Sequence, residues 1–158
     1  MKKYIVALTF LLLTISAGAQ SKKEIKKNKI RQVVVTETEN GKTITDSRTV
    51  YNSDGEPTEK AEYTKEGALK RTLKYKYNSM GDISEEEEYN DKNALVEKTI
   101  AKYNALGEKS EELIYDGANK LIKKNSYTYD SKGLKSERKT TDAAGKLIQY
   151  KKYTYEYK

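Results

Sequence analysis

Tyrosine is the residue best suited to chemistry in this 158-residue sequence, and it recurs at a fixed interval. A first series falls at every twenty-sixth position and consists of Tyr51, Tyr77, Tyr103, Tyr129 and Tyr155. A second series runs on the same period, twelve positions further along, through Tyr63, Tyr89, Tyr115 and then Thr141. Rows of exposed aromatic rings can stack on sugars, so the first series is our candidate glycan-binding set. The alternative is that these rings only hold neighbouring strands together.

The composition argues against catalysis, because the chain contains no histidine and no cysteine. It therefore lacks the usual general base at neutral pH, and every Cys-His or Ser-His arrangement is excluded. No phosphate-binding glycine loop, zinc-ligand spacing or twelve-residue calcium loop is present either. We predict that the protein is not an enzyme and that it uses no metal or other cofactor.

Glu85 to Glu88 form the one dense cluster of carboxylates. On a strand these side chains alternate between faces, and we expect Glu85 and Glu87 on the tyrosine side. Basic strands on either side should lower the pKa of both groups, whereas a general acid needs a raised pKa. The cluster is therefore interpreted as a solvated acidic strand rather than a catalytic pair.

Glycine or asparagine, the residues that most readily adopt positive φ, punctuates the chain at steps that alternate between fourteen and twelve positions. These positions are Gly41, Gly55, Gly67, Gly81, Asn93, Gly107, Asn119, Gly133 and Gly145. Three residues before them stand Thr38, Asn52, Thr64, Asn78, Asn90, Asn104, Asp116, Asp130 and Asp142. Asn or Asp favours the first position of a type I turn, and a left-handed residue then completes a short hairpin loop. Nine such turns predict ten strands.

This turn also predicts the register of each hairpin. Tyr77 should face Ile83, and the corresponding pairs are Tyr63 with Leu69, Tyr89 with Leu95, and Tyr115 with Leu121. Because both spacings are even, we expect both tyrosine series to point to the same face of the sheet. A third column on that face would contain Tyr75, Tyr127 and Tyr153. Together these columns hold eleven of the thirteen tyrosines that follow residue 20.

The predicted fold is all-β: an antiparallel meander of about ten strands, built from 26-residue hairpin repeats. Neither face is continuously apolar, which favours a largely single-layer twisted sheet. The net charge of successive strands also alternates in sign along most of the array, so neighbouring strands attract each other. An open barrel, or a dimer that pairs the tyrosine faces, would bury more surface, and the oligomeric state is left open.

The first residues have the layout of a secretory signal, with Lys2 and Lys3, then an apolar run, then small residues before Gln20. We predict a signal peptide over 1–19, a basic linker over 20–31 and a β-hairpin repeat domain over 32–158. The linker is interpreted as solvated chain or a short exposed helix, with a tether to anionic lipopolysaccharide or wall polymer as the alternative. The apolar run is too short to span a bilayer, so no transmembrane segment is expected in the exported chain.

The compartment follows from the predicted signal peptide. The protein should be periplasmic or extracellular, and it is not a lipoprotein because lipidation needs a cysteine. Basic residues outnumber acidic ones by seven between Lys120 and Lys158. We interpret this excess as protection of a terminal edge strand, with an anion-binding edge as the alternative. Nucleic acid is not an expected partner, because an exported protein seldom meets it.

The repeated unit is Tyr, then Asn or Asp, two free positions, Gly or Asn, one free position, and Leu or Ile. It is complete at 77–83, 89–95 and 115–121, and partial at Tyr129. The unit resembles the YD (RHS-type) repeat of bacterial secreted and surface proteins and, more distantly, MORN-like repeats, over about 32 to 155. Long YD arrays form β-rich shells around toxins or display surfaces, and carbohydrate binding has been attached to them. This array is too short to enclose a toxin, so the resemblance implies a small exported β-repeat protein.

Two classes of function are consistent with these patterns. The first is an exported, non-catalytic binding or structural module at the cell envelope, whose tyrosine columns bind an envelope or extracellular glycan. The second is an immunity or inhibitor type of protein that binds a protein partner, by adding a strand or covering a site.

Overall fold

A computed structural model of the chain describes residues 21–157, which form one helix and ten strands in a single sheet. The elements are α1 (Lys22–Lys27), β1 (Gln32–Glu39), β2 (Lys42–Tyr51), β3 (Pro57–Tyr63), β4 (Leu69–Tyr77), β5 (Ile83–Asn90), β6 (Leu95–Tyr103), β7 (Lys109–Asp116), β8 (Leu121–Tyr129), β9 (Lys135–Asp142) and β10 (Leu147–Lys152). The strands follow one another from β1 to β10, and every neighbouring pair is antiparallel. The predicted all-β meander is confirmed, and the sheet is not closed into a barrel. The predicted signal peptide lies outside the described residues.

The turns have the predicted backbone, because all nine punctuating glycines and asparagines adopt positive φ. In a typical turn the Asn78 side-chain Oδ1 accepts hydrogen bonds from the amides of Met80 and Asp82, both at 2.9 Å. This side chain therefore satisfies two backbone donors of the turn, which explains the preference for Asn or Asp at this position.

The first hairpin differs from the others. Glu39 pairs directly with Lys42, and both Asn40 and Gly41 have positive φ. This is a two-residue turn of type I′, for which Asn-Gly is the preferred sequence. The prediction that Thr38 opens a longer turn is therefore wrong.

The predicted register is confirmed at Tyr63–Leu69, Tyr77–Ile83, Tyr89–Leu95 and Tyr115–Leu121. One residue further along, however, each of these hairpins has a β-bulge. Lys76 faces Glu85 while Tyr77 faces Ile83, so Ser84 is an extra residue without a partner. An extra residue reverses which side chains of the bulged strand point to a given face.

This reversal divides the tyrosines between the two faces, so the prediction that eleven share one face is wrong. Following the register from β2 to β10, and beyond β10 the hydrogen bonds of Tyr153 and Tyr155 to the backbone of β9, one face carries Tyr51, Tyr75, Tyr77, Tyr103, Tyr127, Tyr129, Tyr153 and Tyr155. We call this the row face, and we call the five tyrosines of the first series the tyrosine row. The opposite face, the reverse face, carries Tyr63, Tyr89 and Tyr115.

Few side chains are fully buried. Within residues 21–157 the buried hydrophobic residues are Ile25, Ala61, Leu73 and Ile114. A sheet with so small a core depends on contacts between neighbouring strands, as repeat proteins do.

Residues 22–27, which we predicted to be solvated linker or an exposed helix, form a docked helix. Ser21 and Glu24 make a capping box at its start, and Ile25 is only 1% exposed. The Lys22 ammonium lies 2.6 Å from the carboxylate of Glu56, which is itself buried. The structure thus has the short helix that was one of the two expectations, with five of its six residues exposed, and Ile25 is the exception because α1 packs on the turn between β2 and β3.

Candidate functional site

The strand ends position the tyrosine row. Tyr51, Tyr77, Tyr103 and Tyr129 are the last residues of β2, β4, β6 and β8, and Tyr155 occupies the corresponding place after β10. Neighbouring members of the row are two strands apart, so their rings are about 10 Å apart at the usual strand spacing. All five candidate site residues therefore share one face and lie at the same end of the strands.

The hydroxyls of the row are used inside the protein. The Tyr77 hydroxyl donates to the carbonyl oxygen of Pro57 at 2.7 Å, and the Tyr103 hydroxyl donates to the carbonyl oxygen of Ile83 at 2.8 Å. Tyr129 and Tyr155 donate in the same way, to the carbonyls of Lys109 and Lys135. Each accepting residue is the strand partner of the preceding tyrosine in the row. The hydroxyls therefore fasten each hairpin to the one before it.

Burial moves the pKa of three phenols of the row further above the physiological range. Desolvation raises the pKa of Tyr77 to about 12, and it also raises the pKa of Tyr103 and Tyr129. A neutral hydroxyl can continue to donate its hydrogen bond throughout the physiological pH range. The rings remain partly accessible, and Tyr155 is 40% exposed. The row thus combines an internal fastening role with ring surface that a ligand can reach.

A polar network lies beside the row, on the same face. Glu112 accepts hydrogen bonds from the Lys109 ammonium at 2.8 Å, from the Asn125 amide at 3.0 Å and from the Tyr127 hydroxyl. Burial acts to raise the pKa of Glu112, but these three donors outweigh it and hold the pKa below its ordinary value. Sequence reasoning missed this network, because its members come from two strands whose alignment depends on the bulges.

Carboxylates of the Glu85–Glu88 cluster lie on the opposite faces from those predicted. Glu85 pairs with Lys76 at 2.6 Å and Glu87 accepts from the Tyr89 hydroxyl, so both lie on the reverse face. The predicted lowering of the Glu85 pKa is confirmed, and the hydrogen bond from Lys76 is its main cause. Glu86 lies on the row face instead, where burial raises its pKa.

Glu86 and Glu112 line the same shallow cavity of about 300 Å³, which also includes Lys109, Lys123 and Asn125. The pKa values of the two carboxyl groups are shifted in opposite directions. Three donors already occupy the Glu112 carboxylate, so it is poorly suited to act as a nucleophile. The cavity offers charged and amide groups that can bind a polar ligand. No group of three or more acidic, His or Cys side chains suited to a metal ion occurs within residues 21–157.

Replacing Glu86 by glutamine is expected to stabilise the protein at pH 7. The raised pKa means that folding disfavours the ionised form, so the carboxylate destabilises the fold above its folded-state pKa. The gain should shrink as the pH falls and disappear below the ordinary value of 4.5, where the folded and unfolded carboxyl groups are both protonated. Thermal unfolding at pH 7 and pH 3 measures this. Glu88→Gln is the control and should give no gain, because Glu88 lies 3.7 Å from the Arg71 guanidinium.

Comparison with known proteins does not place the chain in a family. No protein-family model and no curated protein matches it. Among solved structures, the G117R mutant of S. aureus TarM in complex with fondaparinux, α-GlcNAc-glycerol and UDP is similar at 12% identity and a TM-score of 0.32, over 82% of this chain and 23% of TarM. The GtfA/B complex bound to UDP and GlcNAc is similar at 13% identity and a TM-score of 0.24, over 75% of this chain and 24% of that one.

A protein of unknown function from Bacteroides fragilis is similar at 18% identity and a TM-score of 0.17, over 80% of this chain and 96% of that one. The chain spans about a quarter of the length of the TarM and GtfA/B chains. TM-scores of this size support no functional comparison. No helix in residues 21–157 has the length and apolar character needed to cross a membrane.

Proposed function

We propose that the protein is an exported, non-catalytic β-repeat module that binds an extended glycan of the cell envelope along the tyrosine row. The observation that supports this proposal is the alignment of five tyrosines on one face of the sheet, at the same end of the strands and at regular intervals. Four of their rings are held in fixed orientations by hydrogen bonds to backbone carbonyls. A pre-organised row of rings loses little conformational entropy when a polymer stacks on it.

Export is part of the proposal and depends on residues 1–19. The basic start, the apolar run and the small residues at Ala17, Gly18 and Ala19 support it. In the exported protein the row would meet glycans of the periplasm or of the cell exterior.

The test of glycan binding must separate the ring from the hydroxyl. The triple variant Tyr77→Phe, Tyr103→Phe and Tyr129→Phe keeps the rings and loses the hydrogen bonds. The corresponding triple leucine variant loses both. In a peptidoglycan pull-down we expect the phenylalanine variant to bind within about twofold of the parent. The leucine variant should bind at least about tenfold more weakly, because three aromatic contacts of about 0.5 to 1.5 kcal/mol each are lost.

The reverse face supplies a matched control for this experiment. Replacing Tyr63, Tyr89 and Tyr115 by leucine removes the same number of rings from the opposite side of the sheet, and binding should be unchanged. Circular dichroism checks that each variant is folded. Equal loss of binding from both triple leucine variants, or no loss from the row variant, would refute the proposal.

A second candidate function is an immunity or inhibitor type of protein that binds a protein partner. The exposed strand β10 favours it, since all six of its residues are exposed and a partner could add a strand there. Copurification of one defined envelope protein, abolished by changes in β10 and not by changes in the row, would support this candidate over the first.

A further inference from the structure

The two outer strands of the sheet are open. Within residues 21–157 neither β1 nor β10 has a strand partner on its outer side. β1 exposes seven of its eight residues, including Val34 and Val35, and β10 exposes Leu147, Ile148 and Tyr150. An open edge that also presents apolar side chains is a template for pairing with another strand.

The charges of these two strands are opposite. β1 carries Glu37 and Glu39 and no basic residue, whereas β10 carries Lys151 and Lys152 and no acidic residue. Pairing of β1 with β1, or of β10 with β10, therefore brings together charges of one sign only and can form no ion pair. Pairing of β10 with β1 can place unlike charges opposite each other, which stabilises a strand pair. The charges of the edge strands thus favour the asymmetric contact over both symmetric ones.

The interior of the sheet uses the same pairing of unlike charges. Lys76 of β4 lies 2.6 Å from Glu85 of β5, and Lys102 of β6 lies 2.7 Å from Glu111 of β7. In both cases a lysine on an even-numbered strand meets a glutamate on the next odd-numbered strand. A β1 strand placed after β10 would continue this order.

We propose that copies of this protein assemble head to tail, with β10 of one copy paired antiparallel to β1 of the next. The contact uses a different surface on each partner, so it does not close on itself as a two-fold contact would. It continues the meander from one molecule into the next, and this inference does not depend on glycan binding.

The internal register of the sheet predicts the register of the contact. The strands β4, β6 and β8 each begin with a leucine, and each is followed by an odd-numbered strand. In all three cases the residue two places after that leucine faces the last residue of the following strand. The observed pairs are Arg71 with Asn90, Glu97 with Asp116, and Lys123 with Asp142. Because β10 begins at Leu147 and β1 ends at Glu39, the same rule places Gln149 opposite Glu39 and Lys151 opposite Glu37.

Charge exchange tests this contact by sedimentation velocity across a concentration series of the purified protein. The parent should form oligomers that grow with concentration. Lys151→Glu and Glu37→Lys should each raise the dissociation constant about tenfold, because attraction across one strand pair becomes repulsion. Combining the two substitutions in one chain, or mixing the two single variants in equal amounts, should restore assembly. Lys120→Glu makes the same charge change in an exposed turn and should leave assembly unchanged.

Cysteine cross-linking tests the register, since the chain has no native cysteine. The double variant Glu37→Cys and Lys151→Cys should form a ladder of disulfide-linked oligomers on oxidation. Within one copy these positions lie at opposite ends of the sheet, about 40 Å apart at the usual strand spacing, so the disulfide can form only between copies. Glu37→Cys with Lys120→Cys should give no ladder.

Two outcomes would overturn the inference. The first is a parent protein that sediments as a monomer at every concentration, together with a Glu37→Cys and Lys151→Cys variant that gives no cross-linked ladder. The second is assembly that survives both single charge reversals unchanged, which would assign the contact to another surface.

Discussion

Gly55→Ala is expected to detach helix α1 from the sheet and to lower the free energy of unfolding by about 2 to 3 kcal/mol. A Cβ atom at this position would lie 2.5 Å from the carbonyl oxygen of Lys22 and 3.2 Å from the amide nitrogen of Lys26, both in the helix backbone. Neither atom can move unless the helix moves. Undocking of α1 relieves the clash but exposes Ile25 to water. Loss of this burial costs about 2 kcal/mol, and the strain of the alanine backbone adds to that cost.

Gly67→Ala is the matched control for this prediction. Both glycines have positive φ, 79° at Gly55 and 86° at Gly67, so both substitutions carry the strain of a left-handed alanine, about 1 kcal/mol. A Cβ atom at Gly67 would meet nothing within 4 Å. Urea unfolding measures both costs, and hydrogen exchange over residues 22–30 reports detachment of the helix. Equal costs and unchanged exchange in the two variants would show that α1 does not pack closely on this turn.

Glu62→Gln is expected to destabilise the protein at neutral pH by about 1 to 2 kcal/mol and to have no effect near pH 2. A hydrogen bond from Arg71 at 2.8 Å is the main cause that lowers the Glu62 pKa from 4.5 to about 2, with a further contribution from Lys60. A lowered folded-state pKa stabilises the fold above the unfolded-state value, and this contribution is lost as the pH falls from about 4.5 to about 2. The full shift would correspond to about 3 kcal/mol, but Arg71 is 38% exposed and solvent screening reduces it.

Urea unfolding of the parent and the variant at pH 7, pH 4 and pH 2 gives the required curve. The two proteins should differ most at pH 7 and converge at pH 2. Asp91→Asn changes an exposed carboxylate in a later turn and should have little effect at any of these pH values. A difference that persists undiminished at pH 2 would show that packing of the longer side chain, and not its charge, stabilises this part of the sheet.

The meander and its register could be predicted because they depend on local signals. Positive φ at Gly81 or Asn93 is nearly a property of the residue type, and the Asn or Asp three residues earlier satisfies the turn amides. Once the turn is known, the pair that flanks it is known as well, which is why Tyr77 opposite Ile83 was predictable. Where the same signals allowed a shorter turn, at Asn40 and Gly41, the predicted start of the turn was wrong.

The assignment of faces could not be predicted, because the bulges have no residue signature. The extra residue is Lys70 in one hairpin, Ser84 in the next and Val96 in the one after that, three side chains of unrelated character. Simple alternation therefore assigned Glu85 and Glu87 to the row face, whereas the structure places Glu86 there. The Glu112 network was missed for the same reason.

The tyrosine row itself was predicted as a set on one face, and the structure confirms that placement. Its five members are separated by whole repeat units, and each unit contains the same pair of bulges. The first bulge reverses the assignment of faces and the second restores it, so simple alternation places the row correctly. The hydroxyl bonds were not predictable, because they depend on how one hairpin lies beside its predecessor. Whether the rings bind a glycan stays a prediction.

The tyrosine hydroxyl that bonds to the previous hairpin makes each repeat a self-contained unit of the array. One repeat brings its own tyrosine, its own acceptor carbonyl and its own two reversals of direction, and it needs nothing from units further away. Duplication or deletion of one repeat in the gene would lengthen or shorten the sheet by two strands. Every tyrosine hydroxyl would still have an acceptor. Proteins of this design can therefore change length over evolution in whole units, and we expect relatives to differ from this chain by complete repeats.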